Sequence, residues 1–264
     1  EEVISTPPLL PMAKESFSEE QLDALRSGDL AACFGAQFAN LPIRDPATLP
    51  GGKMRLVHRV PLLEPEGGPA GLGRILGEAD IHSDDWFLTC HFVDDQVMPG
   101  TLMYECCLHT LRIFLYRMGW VGEKSNVAFE PVPGVTGKLR CRGQVTATTK
   151  KVTYEVLIRE RGYRPEPYTI VDAYMYADGK NVVEIKSMSL RMTGWSKESV
   201  EAIWSGGISG AVKTPLFDNA SIMAFAIGNP SEAFGDAYKV FDAERKIARL
   251  PGPPYKFLDR IMEV

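Results

Sequence analysis

The spacing of hydrophobic and polar residues changes along the chain and predicts three kinds of segment. Two segments before residue 99, 54–64 and 70–82, are rich in strand-forming residues, and the glycines of the second indicate bends. From Pro99 to Arg117 the chain is apolar on nearly every side of a helix, which predicts one long buried helix. After this helix the period becomes two, which predicts four strands, at 137–150, 151–161, 168–179 and 180–194.

The residues at the ends of these segments agree with this assignment. Pro99 and Gly100 suit the first turn of a helix, and Gly119 suits the position after its end. The Asp178-Gly179 pair is typical of a tight hairpin. A helix that is apolar on almost all sides must be covered on most of them, and a strongly curved antiparallel sheet wrapped around it would provide that cover. The pattern therefore predicts an α+β domain.

Both ends of the chain carry helical patterns. The stretch from Ser18 to Arg26 predicts a short helix that is capped by Ser16 or Ser18. Three later stretches are also compatible with helices, namely 197–204, 219–227 and 231–249. We therefore expect helical N-terminal and C-terminal extensions around the central domain.

The chain also resembles itself at a nearly constant offset. The stretch "FSEEQLDALRSGDLAACFG" from Phe17 is similar to "FDNASIMAFAIGNPSEAFG" from Phe217, and both end in Phe-Gly. The stretch "LPGGKMRLVHRV" from Leu49 is similar to "LPGPPYKFLDRI" from Leu250. Two matches in the same order predict tandem copies of one unit. The alternative is a convergent Leu-Pro-Gly turn.

The repeat predicts the domain organisation. The first copy would be complete, and the second would be cut short by the end of the chain. We expect an N-terminal helical extension at 1–48, a central domain at 49–194, a helical connector at 195–249, and the first strand of a truncated second copy at 250–264.

Composition and charge exclude several classes of protein. The net charge is −5 and the basic residues are scattered, whereas nucleic-acid-binding proteins carry a basic patch. No apolar run reaches the ~18 residues that a membrane-spanning helix needs. The five cysteines lack the spacing of a disulfide framework, and the four histidines lack zinc-ligand spacing. We therefore expect a cytoplasmic protein without a metal or cofactor.

One histidine and one glutamate flank a Met-Pro-Gly turn in "HFVDDQVMPGTLMYE", residues 91–105. Histidine works readily as a base near neutral pH, so His91 is a candidate base. Glu105 lies inside the predicted buried helix, where burial should raise its pKa and make it a usable proton donor. Gly100 begins that helix, so its backbone N–H could bind a developing negative charge. These groups suit removal of a proton beside a carbonyl and protonation of a departing hydroxyl.

A single copy of the chain could fail to assemble this pair of residues. A helix start lies between His91 and Glu105, so on a single copy the two side chains could face different cavities. Pairing His91 of one copy with Glu105 of another would bring them together. The working unit would then be a homodimer or two tandem copies.

The stretch "DDWFLTCHFVDDQVMPGTLMYE", residues 84–105, resembles the active-site signature of the β-hydroxyacyl-acyl-carrier-protein dehydratases with a hot-dog fold. The likeness covers about 49–194 and is strongest to the 3-hydroxydecanoyl-carrier-protein dehydratase branch, through "TGKLRCRGQV", "KKVTYEV" and "YADG". The tandem copies resemble the dehydratase region of polyunsaturated fatty acid synthases. The resemblance implies a hot-dog fold and, as partner, an acyl carrier protein with a phosphopantetheine-linked acyl chain.

The resemblance also implies a role for each matching residue. His91 corresponds to the catalytic histidine and Glu105 to the catalytic acid. The Gly100 N–H would bind the thioester carbonyl, and the Val97 carbonyl would orient the His91 ring. Two further residues, Phe92 and Pro99, would shape the turn.

Two residues depart from the pattern of this family. Glu105 stands where the decanoyl branch usually has aspartate, which puts double-bond isomerase activity in question. Gln96 replaces the usual proline of the turn, which predicts a looser turn.

The implied activity is dehydration of (3R)-hydroxyacyl thioesters to trans-2-enoyl thioesters on the carrier protein. A non-catalytic copy that scaffolds an active neighbour and a hot-dog thioesterase are the alternatives. Cys90 invites a Cys-His pair with His91, although adjacent residues generally point apart. His109 follows Glu105 by one helical turn and fits either helix packing or support of the acid.

Overall fold

The computed structural model describes residues 5–92, 94–205, 216–251, 258 and 261. The chain divides into two compact units, 1–209 and 210–264. Across the described ranges, none of the helices combines the length and the apolar character needed to cross a membrane.

The described part of the first unit contains one antiparallel sheet of eight strands. They are β1 (Glu15–Phe17), β2 (Arg59–Glu64), β3 (Arg74–Asp80), β4 (Ala128–Glu130), β5 (Lys138–Cys141), β6 (Lys151–Tyr163), β7 (Pro167–Ala177) and β8 (Lys180–Thr193). Their spatial order is β1-β2-β3-β6-β7-β8-β4, and β5 pairs with a second stretch of β8.

Five α-helices accompany this sheet in the described residues of the first unit. They are α1 (Glu19–Ser27), α2 (Leu30–Phe34), α3 (Trp86–Cys90), α4 (Gly100–Arg117) and α5 (Lys197–Trp204). Short 3-10 turns lie at Ala36–Phe38, Gly52–Met54 and Lys124–Asn126.

The long helix α4 occupies the centre of the core. Twelve of its 18 residues are buried, and it contacts β3, β6, β7 and β8. Strand β3 comes so close that a Cβ placed on Gly77 would lie 2.5 Å from Thr110 Oγ1. The sheet therefore wraps the helix, as the apolar pattern predicts, and glycine at position 77 permits the close approach.

Most of the predicted elements of the first unit are confirmed. Helix α4 begins one residue after Pro99 and ends at Arg117, as predicted. Ser18 caps α1 in a capping box with Gln21. The hairpin between β7 and β8 has positive φ angles at Asp178 and Gly179, 48° and 81°, as a type I′ turn requires.

Two predicted strands are shorter than the sequence pattern indicates. Of the segment 54–64, only the part from Arg59 is strand, because a 3-10 turn occupies Gly52–Met54. Of the segment 137–150, only β5 is strand. Its threonine-rich remainder bonds locally, with Thr146 N–H donating to Thr149 Oγ1 at 3.1 Å. Such side-chain bonds compete with a strand ladder.

The N-terminal residues add a strand to the helices that the sequence predicts there. Strand β1 pairs with β2 at the edge of the sheet. Arg117, at the end of α4, forms an ion pair with Glu15 of β1, with Nε 2.7 Å from Oε2. The Arg117 side chain is only 4% exposed, so this pair supplies the partner that a buried cation needs.

The described part of the second unit is helical. It contains α6 (Asn219–Ile227), α7 (Pro230–Phe234) and a 3-10 turn at Asp236–Phe241. The ring of Phe234 lies about 5 Å from three other rings, those of Phe217, Phe225 and Tyr238.

The helix predictions for the C-terminal part are partly right. Those at 197–204 and 219–227 are confirmed. The one at 231–249 is wrong beyond α7, because Gly235 with a φ of 86° ends the helix and only a 3-10 turn follows. Most of the strand predicted at 250–264 lies outside the described residues. Within it, Ile261 pairs with Phe217 through two backbone hydrogen bonds of 2.8 and 3.1 Å.

We predict that Gly77→Ala destabilises the protein by about 1–3 kcal/mol, because the added methyl group overpacks the contact between β3 and α4. Denaturant unfolding of the variant measures the loss. The control is a double-mutant cycle with Thr110→Ala, which removes the colliding atoms. The cost of Gly77→Ala should be smaller in the Thr110→Ala background, and an equal cost in both backgrounds would contradict the packing argument.

Candidate active site

The His91 side chain is fixed by the turn that follows α3. Its Nδ1 lies 2.9 Å from the Val97 carbonyl oxygen, and the Val97 N–H donates back to the His91 carbonyl at 2.9 Å. A carbonyl oxygen can only accept a hydrogen bond, so Nδ1 carries the proton in the neutral ring. The lone pair of the neutral imidazole is therefore on Nε2, which can act as a base.

The turn itself has a backbone that proline could not adopt. Gln96 has a φ of 47°, and its N–H donates to the Phe92 carbonyl at 3.1 Å. Proline fixes φ near −65° and has no N–H. Gln96 therefore gives the turn a backbone conformation and a hydrogen bond that a proline at this position could not provide.

The C-terminal half of the turn is attached to the segment before β6. Val97 forms an antiparallel bridge with Thr146, and the Met98 N–H donates to the Val145 carbonyl at 3.0 Å. Met98 is 3% exposed and Val145 is completely buried. The loop that carries His91 is thus held to the core immediately before α4 begins.

Pro99 and Gly100 place the first turn of α4 beside this loop. The Met103 N–H donates to the Pro99 carbonyl at 3.0 Å, so the Gly100 N–H lies before the first helical hydrogen bond and is available to a ligand. A Cβ on Gly100 would lie 3.3 Å from Cys141 Sγ. Any larger residue at position 100 would thus crowd β5 and cover the helix N-terminus.

Glu105 lies five residues into α4 and is half-buried. Burial raises the pKa of its carboxyl group, while the charge of Arg112 acts in the opposite direction. The Glu105 Oε2 is 3.7 Å from His109 Nε2. Burial, with Arg112 and Arg26 nearby, lowers the pKa of His109 to about 3. His109 is therefore neutral at physiological pH, and the acid next to it is easier to protonate than an exposed glutamate.

Five of the six predicted site residues lie together, in the turn between α3 and α4 and at the first residue of α4. The ring centroids of His91 and Phe92 are 4.2 Å apart, and Phe92 is 60% exposed. Val97, Pro99 and Gly100 complete the turn. Glu105 lies further along α4, and in the part of the chain that the structure describes no hydrogen bond or ion pair joins it to His91.

Two further residues of this region were not among the sequence candidates. Arg112 influences the pKa of both Glu105 and His109, and its signal in the sequence is an arginine within an apolar helix. Cys141 reaches Gly100 because β5 pairs with β8, a long-range contact that no local pattern encodes. Among the described residues, no cluster of histidine, cysteine, aspartate and glutamate could hold a metal ion.

Comparison with known proteins places this site in a family. The FabA-like domain family matches residues 49–186, which is more than half of the chain. The chain is 35% identical over 161 residues to a subunit of the polyunsaturated fatty acid synthase of Thraustochytrium sp., a match that covers 60% of this chain and 11% of that protein. The chain thus spans only a small part of the length of this relative.

Two solved structures are also similar. The dehydratase heterocomplex ApeI:P from Xenorhabdus doucetiae is 11% identical with a TM-score of 0.37, over 57% of this chain and 89% of that one. A hypothetical thioesterase from Streptococcus pneumoniae, solved with coenzyme A, is 10% identical with a TM-score of 0.32, over 47% and 81%. From the family match and the sheet-wrapped helix together, we conclude that the chain belongs to the FabA-like domain family and has a hot-dog fold.

Proposed function

We propose that this chain dehydrates (3R)-hydroxyacyl thioesters to trans-2-enoyl thioesters, on an acyl carrier protein, during cytoplasmic fatty acid or polyunsaturated fatty acid synthesis. The observation that carries the proposal is the hydrogen bond between His91 Nδ1 and the Val97 carbonyl. This bond leaves Nε2 unprotonated, as a general base requires. The raised pKa of the Glu105 carboxyl group, caused by burial, supports its role as the acid.

The proposed reaction assigns one step to each group. His91 Nε2 takes a proton from C2 of the acyl chain, and the Gly100 N–H stabilises the negative charge that develops on the thioester oxygen. The C3–O bond then breaks, and Glu105 gives its proton to the departing hydroxyl, which leaves as water. The proton on His91 returns to Glu105 to restore the starting state.

The lack of a direct bond between His91 and Glu105 among the described residues supports a site that two hot-dog copies share. A copy could be a second chain or a tandem neighbour, which agrees with the domain organisation that we propose from the repeat. All four residues of strand β5 are exposed, with Leu139 42% exposed, and the strand lies beside Gly100 through Cys141. A second copy could therefore add to the sheet at this edge, close to the turn.

We predict that His91→Ala lowers the rate of dehydration of a β-hydroxyacyl thioester by roughly 10²–10⁴-fold, because the general base is lost. Steady-state turnover of β-hydroxybutyryl and crotonyl thioesters measures the loss. His82→Ala serves as the matched control, because His82 is exposed and lies outside the turn. Near-normal turnover by the His91 variant would show that His91 is not the base. Absence of turnover by the unchanged chain would assign this copy to the scaffold class, and hydrolysis without hydration would assign it to the thioesterases.

We predict that mixing His91→Ala chains with Glu105→Ala chains restores up to about a quarter of the original activity, because half of randomly paired dimers contain one intact shared site. Activity after proven subunit exchange is the measurement. A mixture of His91→Ala with the double variant should remain inactive. If exchange is complete and activity does not return, each site belongs to a single copy.

We predict that Glu105→Gln changes the pH dependence of stability. The folded-state pKa of Glu105 lies above its ordinary value of 4.5, so the folded state binds this proton more tightly than the unfolded state does. Wild-type stability relative to the variant should then fall as the pH rises from about 4.5 through the raised pKa, and be level above it.

The test is denaturant unfolding of both proteins across that pH range. Asp80→Asn is a control of opposite sign, because a hydrogen bond from Arg59 lowers the pKa of Asp80. The folded-state pKa of Asp80 lies below its ordinary value of 3.8, so its wild-type advantage should be level above that pH and be lost as the scan is extended below it. A Glu105 difference that does not depend on pH would contradict burial as the cause of its raised pKa.

A further inference from the structure

A cavity that is rich in positive charge lies beside α4, further along the helix than Glu105. Its volume is about 370 Å³. Three of its lining residues are cationic, Arg26, Arg112 and Lys124, and none is acidic. The remaining walls come from the loop 47–51 and from Val127 and Phe129. We call this space the basic cavity.

Arg112 is held rigidly at the wall of the basic cavity. Its Nη2 donates to the Thr48 carbonyl at 2.6 Å and to the Tyr116 hydroxyl at 3.0 Å. Its guanidinium carbon lies 3.8 Å from the centroid of the Phe129 ring. The buried Nε has no hydrogen-bond partner. The group is therefore preorganised by stacking and bonding at the cavity wall.

The positive charge of the basic cavity is only partly neutralised. Arg26 forms an ion pair with Asp23 at 2.8 Å. In the described part of the chain, Arg112 and Lys124 have no carboxylate within ion-pair distance. Burial and the neighbouring Arg55 lower the pKa of the Arg26 guanidinium, which indicates that another positive charge is unfavourable there. An anion in the cavity would relieve this repulsion.

We propose that the basic cavity binds a phosphate-class anion, held by Arg112, Lys124 and Arg26. Two guanidinium groups and an ammonium match the charge of a dianion better than that of a single carboxylate. The apolar surfaces of Leu49, Val127 and Phe129 reduce competition from water and strengthen the attraction. The basic cavity is distinct in position from the dehydratase site, because Arg112 follows Glu105 by seven residues, about 10 Å along the helix axis.

The test is binding of inorganic phosphate to the full chain, measured by calorimetry and by the rise in melting temperature. Chloride keeps the ionic strength constant, so that only specific binding changes the result. Saturable binding with one site per chain is the expected result. Absence of saturable binding would overturn the proposal.

Three substitutions that each remove one positive charge locate the site. Lys124→Gln should raise the Kd for phosphate about two- to fivefold, because Lys124 is exposed. Arg112→Gln should raise it by at least about tenfold. Lys180→Gln is the matched control, because Lys180 is exposed in the β7–β8 hairpin. Equal weakening by Lys124→Gln and Lys180→Gln would show non-specific binding and overturn the proposal, even if Arg112→Gln does not fold.

A competition experiment distinguishes two sources of the phosphate group. 4′-Phosphopantetheine is added to the phosphate-bound protein, with pantetheine as the control that lacks the phosphate. Displacement by the phosphorylated compound alone supports the site and assigns it to a carrier arm, an assignment that rests on the proposed function. Phosphate binding without displacement supports the site and assigns it to a free anion. Displacement by both compounds would overturn the role of the phosphate group.

Discussion

The burial of α4 within the sheet is the constraint on which the rest of the structure depends. A polar side chain on a helix surrounded in this way needs a hydrogen-bond partner or access to solvent, since a buried polar or charged group without either is costly. Arg117 meets this requirement through Glu15, and Thr110 does so by donating to the Cys106 carbonyl at 2.9 Å. Glu105 remains half-buried, with its pKa raised by burial. The packing that covers the helix therefore also raises the pKa of the carboxyl group to which we assign the acid role.

The same packing positions His91. Because the core fixes α4, it also fixes where the helix begins, and the turn before Gly100 must fit between that point and the end of α3. Its last residues are held by Val145 and Thr146, and its first residue, His91, is bonded to Val97. Neither end of the turn can move without breaking backbone hydrogen bonds. The imidazole is therefore oriented by a main-chain carbonyl. This explains why the residues that shape the turn belong to the motif around His91.

The sequence predicted those features that local patterns encode. The limits of α4 follow from its apolar residues and from Pro99, and the β7–β8 hairpin follows from Asp178-Gly179. The strand predicted at 137–150 was too long, because threonine side chains there compete with the strand ladder over most of its length. Pairing of Glu15 with Arg117 and the approach of Cys141 to Gly100 could not be predicted, since they join residues that are distant in sequence. The roles proposed for His91 and Glu105 rest on their chemistry and on the motif around them, and they stay predictions.

Arg112 connects the candidate active site with the basic cavity. Glu105, His109 and Arg112 lie at helical positions i, i+4 and i+7, so they share one face of α4. Burial raises the pKa of Glu105 and lowers that of His109, and the charge of Arg112 lowers both. An anion bound to Arg112 would cancel part of that charge, and the pKa of Glu105 would rise further. A proton donor is more effective when it is protonated at the working pH, so occupation of the basic cavity would favour the acid form that the proposed dehydration requires.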